Sequence, residues 1–123
     1  MVSVYGIANC GSVKKARAWL AERGVEAAFV DFKQNAPAEA QVRAWLADIP
    51  LAVLLNRRGA AWRGLDEAQR RQAGGEDGAV ALMCALPNLI KRPVLETDGR
   101  FYCGFDETVY GRLFPGRADA ARP

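Results

Sequence analysis

Residues 2–20 read VSVYGIANCGSVKKARAWL, and the change of rhythm within this stretch decides the fold. From Val2 to Ile7 the side chains alternate and are rich in β-formers, which predicts a strand. Asn9-Cys10-Gly11 breaks that pattern, and Val13, Ala16 and Leu20 then recur at helical spacing. The expectation is strand, tight loop, helix, with Cys10 at the junction. Gly24 stops the helix and Ala28–Phe32 supplies a second strand, so the chain opens with a βαβ unit whose strands run parallel.

Downstream of Pro37 the pattern turns helical. Val42, Trp45, Leu46 and Ile49 mark one apolar face that ends at Pro50, and Leu51–Leu55 follows as another apolar segment. Glycine and charge content make Asn56–Gly64, with Arg57, Arg58 and Arg63, a loop. Helices are expected near Leu65–Ala73 and Glu76–Leu86, divided by Gly74-Gly75 and closed by Pro87. After Pro93, Val94–Glu96 and Phe101–Cys103 flank Asp98-Gly99, a pair suited to the positive φ angles of a tight hairpin. Asp106 can cap a last helix ending near Phe114. The order β-α-β, helical insertion, β-β-α predicts an α/β protein of thioredoxin-like fold with a small mixed sheet. A single domain is expected over residues 1–114, with the insertion at about 37–86 and a mobile tail at 115–123.

Composition narrows the chemistry. The chain has 123 residues, half of them hydrophobic, which suits one domain. Seventeen Lys and Arg against fourteen Asp and Glu give a net charge of +3. That excess is diffuse, so neither nucleic acid nor a membrane surface is expected as a partner. The longest apolar run, Ala79–Leu86, is far short of the ~18 residues a membrane span needs. With Met1–Ile7 lacking the pattern of a signal peptide, the expected location is the cytoplasm. No apolar stripe is left over for self-association, so a monomer is expected. The chain has no histidine, which excludes a Ser-His-Asp triad, a Cys-His nucleophile pair and any His-ligated metal centre. Three cysteines at wide spacings, Cys10, Cys84 and Cys103, fit neither a zinc motif nor a disulfide framework.

Cys10 is then the candidate nucleophile. At a helix start the free amides and the dipole favour a thiolate, and without an imidazole base electrostatics is the available route to activation. Asn9 and Gly11 flank it. Lys14, Lys15 and Arg17 are close in sequence; the two lysines either serve the sulfur or an anionic ligand, or are simply solvated. Arg92-Pro93 enters a strand, where the proline holds its predecessor extended and is open to a cis peptide. In a thioredoxin-like fold that corner faces the cysteine loop, which brings Arg92 towards Cys10. Arg57, Arg58 and Arg63 either line an anion pocket or face solvent. Cys84, in an apolar helix, and Cys103, in a strand, are expected to be core thiols.

Five segments then carry a family resemblance: Tyr5–Cys10, Lys14–Arg17, Leu54–Gly59, Pro87–Val94 and Gly104–Glu107. Together they resemble the arsenate reductase/Spx family, nearest its YffB-like branch, from about Val4 to Phe114. The resemblance implies a redox-active Cys10, Arg92 as its catalytic partner, and no tightly bound cofactor. It also implies glutathione as co-substrate. The expected substrate is an oxidised thiol or another small oxidised compound, with substrate contacts expected from Asn9, Gly11, Lys14, Asn56, Arg57 and Pro93. Arsenate reductases of this family surround the cysteine with three arginines. Here only Arg92 matches: Asn56 follows Leu54-Leu55, with Arg57 one step later, and Gly104 follows Cys103. A multiply charged oxyanion needs several fixed cations, so arsenate is the secondary expectation. Spx-type regulators bind RNA polymerase and sense oxidation through a CxxC pair. The position three after Cys10 is Val13, leaving the polymerase-binding role as a third alternative without that switch.

Overall fold

Alternation along β1 (Val2–Gly6) sorts side chains onto the two faces of a sheet. In the computed structural model, which describes residues 1–115, Val4 is opposite Leu95 and Tyr5 opposite Val94 in the register of β1 with β3 (Val94–Thr97). Val4 and Leu95 join Ala16, Trp19, Leu20 and Tyr110 in one core. Tyr5 and Val94 belong to a second, larger core with Trp45, Leu54, Met83 and Ile90. Thus α1 (Gly11–Glu22) and α7 (Glu107–Leu113) cover one face. The other is covered by a run of helices inserted between β2 (Ala27–Asp31) and β3.

The sheet has four strands in the order β2-β1-β3-β4, with β4 at Arg100–Cys103. β1 and β2 are parallel and the other pairs antiparallel. This is the thioredoxin-like α/β arrangement with a mixed sheet. The β3–β4 turn uses Asp98 at φ 52° and Gly99 at φ 73°, the left-handed pair that a two-residue hairpin demands. Asp106 accepts from the amides of Thr108 and Val109 and so caps α7 as expected.

The insertion departs from expectation in detail. It comprises α2 (Glu39–Leu46), α3 (Leu51–Leu54), α4 (Ala60–Arg63), α5 (Glu67–Gln72) and α6 (Glu76–Ala85), followed by a 3₁₀ turn at Pro87–Leu89. The segment expected to be a loop throughout, Asn56–Gly64, contains α4. Gly59 starts that turn and the half-buried Trp62, packed against the larger core, holds it in place. α5 begins two residues later than expected because Asp66 and Gln69 close a capping box there. β2 lies one residue earlier than expected, paired from Val2↔Ala27 to Gly6↔Asp31. The expected tail falls outside the described residues except for Pro115.

One contact secures the insertion to the sheet edge. The Asp48 carboxylate accepts the Phe101 amide at 3.0 Å and meets the Arg100 Nε at 3.3 Å. It thereby occupies backbone that the edge strand β4 would otherwise leave unpaired. No helix among the described residues is long and apolar enough to cross a membrane.

Candidate active site

Cys10 is the N-cap of α1, in extended conformation at φ −138° and ψ 126°. Its carbonyl accepts the Lys14 amide at 2.9 Å, the first bond of the helix. The half-buried sulfur makes no cap hydrogen bond of the kind an Asp or Ser oxygen makes. Its protonation nevertheless responds to what faces it. Partial burial raises the thiol pKa. The Val13 amide, the hydrogen-bonding and charge of Arg92, and the Ser12 amide outweigh that burial, and the net shift is downward. Helix-terminal amides and one guanidinium therefore favour the thiolate, the ionised form that attacks.

Arg92 reaches this position from the corner before β3. Its Nη1 donates to the Asn88 carbonyl at 3.1 Å, so the 3₁₀ turn holds one side of the guanidinium while its charge acts on the sulfur. The Arg92-Pro93 peptide is cis, and the buried Pro93 accepts the Gly104 amide on its carbonyl at 2.8 Å. The preceding segment is clamped to α3: the Lys91 amide donates to the Leu54 carbonyl and the Asn56 amide to the Leu89 carbonyl, each at 2.8 Å. Asn56 thus supports the approach to Arg92 through its backbone, while its side-chain oxygen accepts the Arg58 amide at 3.1 Å.

The remaining expected residues are placed less centrally. Asn9 and Gly11 are exposed on either side of Cys10, and open space surrounds the position a Gly11 Cβ would take. Lys14 is exposed on the first turn of α1. Arg17 stacks over Phe29 at 4.1 Å, and Arg57 lies over the Trp62 ring at 5.4 Å. Of the candidate cations, Arg92 is the one whose charge bears on Cys10.

The other two thiols are differently set. Burial pushes Cys103 up to about 11 against the opposing Lys91 charge and Gly104 amide, and its Sγ donates to the Lys91 carbonyl at 3.3 Å. Burial and the Glu39 carboxylate also raise Cys84, against the opposing charge of Arg43. Both are half-buried against the larger core rather than within it. All three cysteines are free.

Gly6 is a site residue that the sequence reading missed. A Cβ there would sit 2.7 Å from the Val13 Cγ2 and 3.7 Å from the Arg92 Cβ, so only glycine lets the first turn of α1 and the Arg92 corner close over the end of β1. A glycine inside a strand is the available signal of such a close approach. The Asn88 carbonyl that anchors Arg92 carries no sequence signal, because any residue supplies a carbonyl.

Comparisons with known proteins agree with this architecture. A solved structure named YFFB protein is 41% identical, with a TM-score of 0.85, over 91% of this chain and 97% of that one. The solution structure of an arsenate reductase (ArsC) related protein from Brucella melitensis is 40% identical, with a TM-score of 0.69, over 92% of this chain and 93% of that one. An uncharacterized protein of Haemophilus influenzae is 36% identical over 93% of this chain and 99% of its own length. The model of the ArsC family matches residues 5–113, a span that starts in β1 and ends with α7 and so takes in both Cys10 and Arg92. The chain belongs to the ArsC family.

Proposed function

We propose that this chain is a monothiol reductase that uses glutathione to reduce disulfides or other small oxidised sulfur compounds through Cys10. In the first step the Cys10 thiolate attacks a sulfur of a disulfide R–S–S–R′. The Cys10–S–S–R bond forms, the S–S bond of the substrate breaks, and R′ departs as a thiolate that takes up a proton. In the second, a glutathione thiolate attacks the R-bearing sulfur, releasing R–S–S–glutathione and restoring the Cys10 thiolate; a second glutathione then converts R–S–S–glutathione to the thiol R–SH and glutathione disulfide, completing the reduction. Arg92 steadies negative charge on the Cys10 sulfur before the first step and after the second. The amides of Ser12 and Val13 do the same from the helix side.

The observation that carries this reading is the contrast among the three thiols. Cys10 is shifted towards the thiolate by Arg92 and the α1 amides, whereas Cys84 and Cys103 are shifted away from it. A chain with one activated thiol needs an external thiol to resolve its mixed disulfide. Asn9, Gly11, Lys14 and Pro93 are the proposed contacts for that thiol, and Asn56 and Arg57 act from the insertion side.

The position of Gly104 argues against arsenate as the preferred substrate. Where the resemblance to arsenate reductases asks for an arginine, the backbone stands at φ 81°, a conformation that side-chain-bearing residues rarely adopt. The Lys91 Cε also approaches to 3.4 Å of where a Cβ would be. The test is glutathione-coupled turnover of a small mixed disulfide, beside arsenate, in the wild type and in Cys10→Ser. Turnover of the disulfide that vanishes in Cys10→Ser is expected; turnover surviving in that variant, or arsenate reduced at a rate equal to the disulfide, contradicts the reading.

A further inference from the structure

A groove of about 540 Å³ includes Asn88, whose carbonyl holds Arg92, and is bounded by the end of β1, the residues after β2, α4, α5 and the 3₁₀ turn after α6. Its size is within the range of small-molecule sites. Ile7, Phe32, Leu65, Leu86 and Pro87 give it apolar walls. Ala60, Ala61 and Gly64 keep one side low, because α4 presents small side chains there. Leu86 stands 39% exposed and is one of three large hydrophobic residues so exposed among the described residues. Leu86 thus leaves apolar surface at the groove open to water, which suits it to being covered by a ligand.

Two further observations restrict what covers it. The first is charge. Lys33 lies in the groove wall, and between positions 57 and 71 the chain carries five arginines against two acids, Asp66 and Glu67. Arg63 donates to the Arg58 carbonyl at 2.8 Å and Arg70 to the Arg63 carbonyl at 3.2 Å, which fixes these two guanidinium groups on the backbone around α4, next in sequence to the groove residues Gly64 and Gln69. Among the described residues none of Arg58, Arg63 and Arg70 forms a salt bridge. The Asp66 carboxylate is engaged in capping α5. The second is connection to the sulfur. Asn88 lines the groove, its carbonyl holds Arg92, and the Arg92 charge acts on Cys10, so Arg92 links the groove wall to the reactive sulfur.

We propose that the groove receives the apolar substituent of an anionic disulfide substrate while the disulfide itself meets Cys10. This rests on the reading of Cys10 as a thiol nucleophile and adds to it a substrate class. The preferred compound carries a hydrocarbon or aromatic group on one sulfur and a carboxylate that Lys33 and the arginines of the α4–α5 segment attract. Each methylene buried in such a groove favours binding about fourfold, so affinity rises with chain length.

Thioethers test this without chemistry, because Cys10 has no S–S bond to attack. Titration calorimetry on the full chain compares S-methylglutathione, S-hexylglutathione and S-hexylcysteamine, the last having the same alkyl chain on a cationic head. The S-hexyl glutathione compound is expected to bind at least tenfold more tightly than the S-methyl one, and S-hexylcysteamine more weakly than S-hexylglutathione. Gly64→Leu is expected to bring the hexyl-to-methyl ratio to within about twofold by filling the groove. That substitution is compatible with the backbone, which stands at φ −81°, and with the nearest atoms, which lie 3.6 Å from the new Cβ. Ala60→Leu, exposed on α4, is a second filling variant, and Ala68→Leu, outside the groove on α5, is expected to leave the ratio unchanged. Equal affinity for the two glutathione thioethers, binding of neither, tighter binding of the cationic compound, or a hexyl preference that survives both filling variants overturns the proposal. Cys10→Ser is expected to retain the preference. A wild type that prefers the hexyl compound yet turns over no disulfide would overturn the nucleophile reading and leave the groove standing; turnover without chain-length preference would do the reverse.

Discussion

Arg92 grips the Asn88 carbonyl at 3.1 Å with one end of its guanidinium and directs its charge at the Cys10 sulfur. Arg92 and Cys10 are distant in sequence and are brought to one site because the corner before β3 comes down beside the end of β1. Positive charge at that corner and unpaired amides at the start of α1 thus converge on one thiol. This convergence supplies what an imidazole base supplies elsewhere, in a chain that has no histidine.

Removing the guanidinium should therefore slow Cys10. An opposite charge beside a thiol lowers its pKa, by less where solvent screens it, so losing Arg92 cuts the thiolate fraction at pH 7. The more basic thiol left behind is also intrinsically more nucleophilic, which offsets part of the lost thiolate. Arg92→Ala should reduce Cys10 alkylation at pH 7 by roughly threefold to tenfold, and Arg92→Lys by less, since it keeps the charge. Unaltered alkylation of Arg92→Ala would show that the charge does not act on the sulfur.

Gly6 governs the same convergence by its size. Gly6→Ala places a Cβ 2.7 Å from Cγ2 of the fully buried Val13. Overpacking of this kind costs about 1–3 kcal/mol. Urea denaturation should show that loss, and displacement of the first turn of α1 should weaken its amides' hold on the sulfur and raise the Cys10 pKa. A variant as stable as the wild type, with an unmoved Cys10, would show that the end of β1 is looser than described.

Cys103 makes a prediction of opposite sign. Its folded pKa, raised from 9.0 to about 11 chiefly by burial, means the unfolded chain releases this proton first as pH rises. The contribution is fully present below the unfolded pKa and is lost as pH climbs towards 11. At about 1.4 kcal/mol per pKa unit, the loss is on the order of 2–3 kcal/mol. Denaturant midpoints should fall over that window in the wild type and fall less steeply in Cys103→Ala. Parallel pH profiles for the two proteins would contradict the assignment.

Asp48 links insertion and sheet through the Phe101 amide and Arg100. Asp48→Ala leaves that edge amide without its acceptor and should destabilise the fold by about 1–2 kcal/mol. Asp48→Asn, which retains an oxygen, should recover part of the loss. Hydrogen exchange at the Phe101 amide reads the effect locally, and unchanged protection in Asp48→Ala would place the stabilisation elsewhere.

Strands, turn chemistry and the Cys10 junction were legible because each rests on local physics: alternation along Val2–Gly6, left-handed Asp98-Gly99, and the Asp106 cap. The approach of Arg92 to Cys10 was legible only through fold geometry, as the corner before β3 faces the first loop. The insertion was less so. α4 forms where glycine and arginine content favour a loop, because Trp62 packs against the core, a tertiary contact that local propensity does not contain. The groove was hidden for the same reason: Ile7, Ala60, Leu86 and Asn88 have no common period or motif, and only the packing of the helices brings them together.

The central claim is that Cys10 is a thiol poised to attack. The most direct test is the pH dependence of alkylation read peptide by peptide by mass spectrometry, with Cys84 and Cys103 as internal references. A Cys10 midpoint below the ~8.5 of a free thiol, with Cys84 and Cys103 titrating above it, is the predicted result. A Cys10 midpoint at or above that of a free thiol would contradict the account.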